Sequence, residues 1–295
     1  MLRLAVATKR ETFGRIRGPL GERGVAVEHV PCDERVFDVS APGVSADGTA
    51  LEPFDAGFVY PSRLMEGGAV DALLSIPWVN GLRAVATSRN KAAVYARLAR
   101  EGIPTPETRY VSNPADESDV AAAAREVGFP VVVKPNSTTR GTGVARLEDL
   151  DSLLGVVDYL DLVHDYRATG DRSYLLQEFL PDAADYRVMV VDGDVVGGVR
   201  RRLPDPARAD GRWKHNVHRG GEAEGIDVPE PASRLAERTA RALDIDYLGV
   251  DLLRTDDRWV VNETNARPTV DDADKYDPDF YDRLAALIES VADRG

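Results

Sequence analysis

Apolar residues fill positions 2–7, 25–30 and 56–60 almost without interruption, and a helical spacing over 12–23, closed by Gly24, separates the first two. Continuous apolar runs alternating with helical ones predict a small parallel α/β unit of roughly 85 residues. A helix over 69–74 and a short strand or loop around 77–80 complete it. No GxGxxG follows a strand here, so the unit is not read as a dinucleotide site. The next stretch, TSRNKAAVYARLAREGIPTPET, has Ala92, Tyr95, Leu98 and Ala99 at helical spacing, Ser88 or Asn90 as cap, and Gly102 and Pro104 as stop. Beyond it the pattern predicts helices over 117–127, 149–160, 233–243 and 280–291, and strands at 110–111, 131–134, 175–180, 187–191 and 195–200. Asp192-Gly193-Asp194 is a hairpin turn between the last two strands. Residues 204–211 are polar and are expected to form a mobile loop.

Two apolar runs, Gly249-Val-Asp-Leu-Leu and Arg258-Trp-Val-Val, predict a further hairpin turning through Thr255-Asp256-Asp257. It carries Asp251, Glu263 and Asn265 at its most sheltered positions. Residues two apart on a strand share a face, so Glu263 and Asn265 point the same way. Three oxygen donors without histidine or cysteine suit Mg2+, whereas a hydrogen-bonded polar cluster is the plainer alternative. Side-by-side carboxylates are costly to bury without a cation, which favours the metal.

Two other features bear on chemistry. The strand at 131–133 delivers Lys134 to PNSTTRGTGV, where Gly141 and Gly143 permit a loop that turns N–H groups toward an anion. No Walker GxxxxGK[ST] occurs, and a Gly-Thr-Gly run is often only a turn. LLQEFLP places Gln177 and Glu178 inside an apolar strand, either as a strand edge with one solvent-facing acid or as a nucleotide hinge with Phe179 and Leu180.

Composition narrows the partners. The chain has 295 residues, a formal charge of -13, one cysteine and four histidines without zinc spacing. Net acidity disfavours nucleic acid, a single cysteine excludes an internal disulfide, and no apolar run approaches the roughly 20 residues of a membrane helix. The apolar start of MLRLAVATKR is too short for a signal peptide, so the expected location is the cytoplasm. Lysine is scarce: Lys9, Lys91, Lys134, Lys214 and Lys275 are all of it, while arginine and aspartate abound, as in a salt-adapted or GC-rich organism. The few lysines retained are therefore worth locating.

Lys91, Lys134 with its glycine-rich loop, QEFL, DYR at Asp185–Arg187, RRR at Arg200–Arg202, NVHRGG from Asn216, GVDLL and NETNARP stand in the order and spacing of ATP-grasp carboxylate-amine ligases. The chain resembles the RimK-type α-L-glutamate ligases from about residue 60 to its end, and more loosely before that. The resemblance implies an ATP-grasp fold of α/β and α+β parts: an N-terminal unit over 1–86, a central lid over 87–179 and a C-terminal unit over 180–295. It implies an ADP-forming acid–amino acid ligase using ATP and two Mg2+, for which Mn2+ is a substitute. A carboxylate attacks the γ-phosphate and an amine then displaces phosphate. Lys91, Lys134, Gly141 and Gly143 would meet the ATP phosphates, and Gln177, Glu178, Phe179 and Leu180 the adenine and ribose. Asp251, Glu263 and Asn265 would hold metal. Asp185 and Arg187, with Arg201, Asn216 and Arg219 as catalytic residues, would face the phosphates and the acyl acceptor. After Asn265 those ligases continue with a small residue, Pro and a Gly-Leu-Glu-Gly-type run, whereas this chain reads Ala266-Arg267-Pro268-Thr269-Val270-Asp271-Asp272.

The expected partners are a small-molecule or peptide carboxylate and an amino acid such as glutamate, with neither nucleic acid nor membrane, and with homo-oligomerisation open. A surplus of arginine, Arg63, Arg202 and Arg267 together with Arg187, Arg201 and Arg219, suggests a substrate carboxylate besides the activated one. Glutathione-synthetase-like and amino-group-carrier-protein ligases are alternatives, as are an idle ATP sensor and a kinase that stops at phosphorylation. Lys9 and Lys275 lie outside the motifs and are expected to be silent in ATP binding.

Overall fold

In the computed structural model, which describes residues 1–7, 9–40, 43–139, 141–163, 171–214 and 220–295, the first apolar runs pair in parallel. Strand β1 (Leu2–Val6) leads through helix α1 (Arg10–Gly21) to β2 (Val25–His29). A small antiparallel pair, β3 (Ser45–Ala46) and β4 (Thr49–Ala50), precedes β5 (Ala56–Phe58), α2 (Leu64–Leu74) and β6 (Trp78–Val79). The parallel order is β2-β1-β5-β6, so the chain reverses direction across the sheet between β1 and β5. Ligands of open α/β sheets gather outside the strand ends at such a reversal.

Two helices follow, α3 (Leu82–Arg89) and α4 (Lys91–Arg100), where the sequence pattern suggested one. Asn90 separates them: it ends α3, and its side chain accepts from the Ala93 N–H to cap α4. Next come β7 (Thr108–Val111), α5 (Glu117–Val127), β8 (Val131–Pro135), β9 (Ala145–Leu147), α6 (Leu150–Val163) and β10 (Tyr174–Glu178). Their strands form an antiparallel sheet of order β7-β10-β8-β9. One face, with Val131, Val133, Tyr174 and Leu176, packs against Val120, Ala124, Leu153 and Val157 of the two helices. By alternation the other face carries Val132, Lys134 and Gln177.

The third sheet takes β11 (Ala184–Val191), β12 (Asp194–Arg202), β13 (Glu222–Gly225), β14 (Tyr247–Arg254) and β15 (Trp259–Asn265), with helices α7 (Asp205–Ala209) and α8 (Glu230–Leu243) inserted. Its order is β13-β12-β11-β14-β15, antiparallel throughout. Asp192 and Gly193, both at positive φ, form the β11–β12 turn. Residues expected as a loop at 204–211 contain the short helix α7 instead. Helix α8 buries Leu235, Ala236, Ala240 and Leu243 in a core shared with Val94, Tyr95 and Leu98 of α4 and Val188, Val250 and Val261 of this sheet. The last helix, α9 (Phe280–Ala292), returns to the first unit, packing Phe280, Leu284 and Ile288 with Leu4, Ile16 and Phe58. No helix of the described residues is long and apolar enough to cross a membrane.

Candidate active site

A cleft of about 490 Å³ opens between the second and third sheets. Lys91 and Lys134 reach it from different elements. Lys134 rides on a strand buried at every position, and its Nζ donates to the Tyr95 hydroxyl at 2.9 Å, with Asn262 Oδ1 at 3.4 Å. Burial pushes this ammonium down to about 8, against the attraction of Glu263. Lys91 opens α4, directly after its Asn90 cap. Its Nζ donates to the Thr138 carbonyl at 2.5 Å and lies 3.5 Å from Glu263 Oε1. Burial lowers its pKa also, with Glu263 opposing and Lys134 adding to the fall. An anion reaching these two buried ammonium groups would raise both pKa values.

The glycine-rich loop is shaped from within. Thr138 Oγ1 donates to the Thr142 carbonyl at 2.9 Å, and Asn136 Oδ1 accepts from the Ala92 N–H at 2.9 Å. Gly143 has φ +75°, and a Cβ there would stand 2.7 Å from Pro135, so only glycine fits. Gly141, also at positive φ, lines the cleft, whereas Gly143 lies behind the loop against Pro135.

Gln177, Glu178, Phe179 and Leu180 form another wall. Gln177 Nε2 donates to Tyr95 Oη at 3.0 Å and to Thr108 Oγ1 at 2.9 Å. Glu178 Oε1 accepts from the Glu107 N–H at 2.8 Å and from Arg258 at 2.7 Å. Its carboxylate therefore ties this wall to the β14–β15 turn. Phe179 lies under the Arg146 guanidinium at 4.3 Å and against Trp213, edge to face, at 5.7 Å. Lys214, next to Trp213, donates to the Val144 carbonyl and thus fastens this segment to the glycine-rich loop.

The hairpin supplies the acids. Asp251 stands opposite Glu263 in the ladder and Gly249 opposite Asn265. A β-bulge follows: Leu252 pairs with Val261, so Asn262 is an extra residue on β15. Asn262 and Glu263 consequently both line the cleft. On the other side of β14, Arg187 faces Asp251 in register and grips it bidentately, Nε at 2.7 Å and Nη2 at 2.9 Å. Arg201 bridges Asp251 at 3.1 Å and Asp185 at 2.5 Å. Burial pushes Asp251 up, but the two guanidinium groups outweigh it and hold the carboxyl below its ordinary value. Burial works against both arginines, yet Asp251 holds each above its usual range.

No group of three or more His, Cys, Asp or Glu converges among the described residues. Two opposed carboxylates with an amide nearby still fit Mg2+, which is commonly held by one or two carboxylates and completed by substrate phosphates and water. Asn265 already accepts from the Arg267 N–H at 2.9 Å, which fixes its side chain.

The structure gathers most of the expected residues, but not all. Arg63 precedes α2, is 63% exposed and pairs with Glu66 of the first helical turn at 3.0 Å, so it does not join Arg187 and Arg201. Arg202 alternates away from buried Arg201, is exposed and stands opposite Glu222. Arg267 turns to the first unit, its Nε donating to the Tyr60 carbonyl. Asn216 and Arg219 lie outside the described residues. Lys9 and Lys275 are not remote: Lys9 holds Arg267 and Thr269, and Lys275 pairs with Asp271 at 3.0 Å. Tyr95, Asn262, Arg146, Trp213 and Lys214 were missed. Of these, Lys214 carried a signal as one of five lysines in the chain, and Asn262 as the first residue of NETNARP.

The family model for the RimK-like ATP-grasp domain matches residues 88–286. A probable alpha-L-glutamate ligase of Methanococcoides burtonii is 31% identical over 256 residues, covering 84% of this chain and 80% of that protein. The fold matches a RimK domain ATP-grasp protein from Sphaerobacter thermophilus at TM-score 0.65, with 22% identity over 99% of this chain and 98% of that one. It also matches the ATP-grasp ligase PsnB complexed with minimal precursor, Mg and ADP, at TM-score 0.66 and 18% identity over 99% and 98%. The chain belongs to the RimK-like ATP-grasp family. It is an ATP-dependent carboxylate-amine ligase of the RimK type.

Proposed function

We propose that the chain joins an amino acid, glutamate foremost, to a small-molecule or peptide carboxylate through an acyl phosphate, with ATP in the cleft between the second and third sheets. The observation carrying this reading is the convergence of two buried ammonium groups, Lys91 and Lys134, on a cleft that the Asp251–Glu263 pair also lines, with Glu263 Oε1 3.5 Å from the Lys91 ammonium. The glutamate assignment draws on the relatives described as probable alpha-L-glutamate ligases.

In this reading Lys91, Lys134 and the N–H groups around Gly141 grip the phosphates. Gln177 and the 178–180 backbone face the adenine, with Phe179 and Trp213 against its ring. Asp251, Glu263 and Asn265 hold Mg2+, one ion or two, and Mn2+ takes its place. The metal supplies charge neutralisation between the phosphates. Arg187 and Arg201, anchored by Asp251 and Asp185, present fixed positive charge where the transferring phosphoryl group and the carboxylate meet. The enzyme's contribution is position and electrostatics, as in phosphoryl transfer generally. A substrate carboxylate beyond the activated one is assigned to Arg267 at the strand ends of the first unit.

A panel of amino acids and carboxylates, read by ADP release with Mg2+ present, tests this. Release requiring both an amine and a carboxylate is the expected result. Release with a carboxylate alone, without amide product, would point to the kinase alternative.

A further inference from the structure

The chain just past the metal hairpin is gripped from outside along its backbone. The Ala266 N–H donates to Ser88 Oγ at 3.1 Å, and the Ala266 carbonyl accepts from Asn80 at 2.7 Å. Lys9 Nζ donates to the Arg267 carbonyl and, at 2.9 Å, to Thr269 Oγ1. The Val270 N–H donates to Thr12 Oγ1 at 3.3 Å, and its carbonyl accepts from Arg15 at 2.8 Å. Lys9 occupies the N-cap of α1 in the left-handed region, φ 61°, a conformation costing roughly 1 kcal/mol for a side-chain-bearing residue. Its side chain makes no capping bond and reaches across to the hairpin's tail instead.

Arg267 is thereby fixed at three points: its carbonyl by Lys9, its Nε on the Tyr60 carbonyl, and its N–H on Asn265 Oδ1 at 2.9 Å. An amide oxygen has two acceptor directions. With one taken by the Arg267 N–H, the other is aimed. We propose that Lys9 is a positioning residue for the metal ligand Asn265: it holds the Arg267–Pro268 peptide by its carbonyl and so fixes Arg267 itself, whose N–H, in the preceding peptide, orients the Asn265 oxygen. The proposal rests on Asn265 being a metal ligand, as read above.

The test reads metal binding apart from turnover. Mn2+ affinity is measured by electron paramagnetic resonance on the protein with a non-hydrolysable ATP analogue, beside melting temperature and analogue affinity without metal. Lys9→Met is expected to weaken Mn2+ binding about tenfold, the scale on which residues behind a metal ligand act. Thr269→Ala, which removes one of the lysine's acceptors, weakens it by less than Lys9→Met does. Lys9→Arg, which keeps the donors, restores most of the affinity. Metal-free analogue binding stays unchanged in all three. Thr12→Val loosens the same tail beyond the Arg267 peptide, and lowers the melting temperature without moving Mn2+ affinity. A Lys9→Met protein that melts earlier but binds Mn2+ as wild type does would reduce Lys9 to a structural tie and overturn the proposal. Should Lys9→Met not fold, wild-type Mn2+ affinity in Thr269→Ala overturns it equally. Unchanged Mn2+ affinity in Asn265→Ala would instead remove the metal-site assignment beneath it.

Discussion

Replacing Lys134 by Met is expected to make the ligand-free protein more stable while crippling its hold on ATP. A lysine brought from 10.5 to about 8 by burial carries a folding cost of about 3 kcal/mol at neutral pH. Against that, the variant loses the hydrogen bond to Tyr95 at 2.9 Å and the weaker approach to Asn262, together worth about 1–2 kcal/mol. Tyr95 keeps its other partners, Gln177 and the Asn262 carbonyl, and Met fills most of the lysine's volume. The balance is a gain of about 1–2 kcal/mol at pH 7, or a melting temperature higher by a few degrees.

The pH dependence fixes the cause. Between about 8 and 10.5 the unfolded chain keeps its proton on this lysine while the folded one has lost it. The wild type therefore gains stability relative to the variant as pH rises through that window. The advantage of Lys134→Met is full below about 8 and fades toward 10.5. Urea denaturation of both proteins from pH 6.5 to 10, with ATP calorimetry at pH 7, measures the whole cycle. A variant less stable at pH 7, a difference independent of pH, or ATP affinity equal to wild type would refute the reasoning.

Glu263→Gln and Asn265→Ala are expected to fold normally and lose turnover, and a rate within threefold of wild type in either would contradict the metal assignment. Arg201→Met leaves Asp185 and Asp251 short of a buried counter-charge, which lowers stability by about 3–5 kcal/mol; a melting temperature unchanged in calorimetry would argue against that network. Arg267→Ala is expected to raise the Michaelis constant for the amino-acid or carboxylate substrate and leave that for ATP nearly unchanged. Impairment toward ATP alone would move Arg267 out of the substrate site.

The sequence revealed those parts of the site that local pattern controls. The strand carrying Lys134, the Asn90 cap before Lys91 and the hairpin bearing Asp251 and Glu263 each follow from spacing and turn chemistry, whereas the bulge beside Asp251 is what sets its two acids opposite each other. What stayed hidden depends on register and on contacts between distant elements. Alternation places Glu263 and Asn265 on one face but does not reveal the bulge that brings Asn262 into the cleft. Tyr95 sits at helical core spacing and is buried as a core residue is, yet its hydroxyl joins Lys134, Gln177 and Asn262. Strand β13, with sequence Glu-Ala-Glu-Gly, lacks an apolar run because it is an edge strand, hydrogen-bonded in the sheet only to β12. Arg63 and Arg202 show the opposite failure: a motif position and an arginine count do not say which way a side chain points.

In the proposed reaction a carboxylate oxygen attacks the γ-phosphate, and an amine then displaces phosphate from the acyl group. A substrate carboxylate labelled with oxygen-18 tests this directly, once the amino acid and carboxylate pair supporting ADP release is known. One labelled oxygen is expected in each inorganic phosphate formed, matched by one amide bond and one ADP. Unlabelled phosphate accompanying amide formation would contradict it.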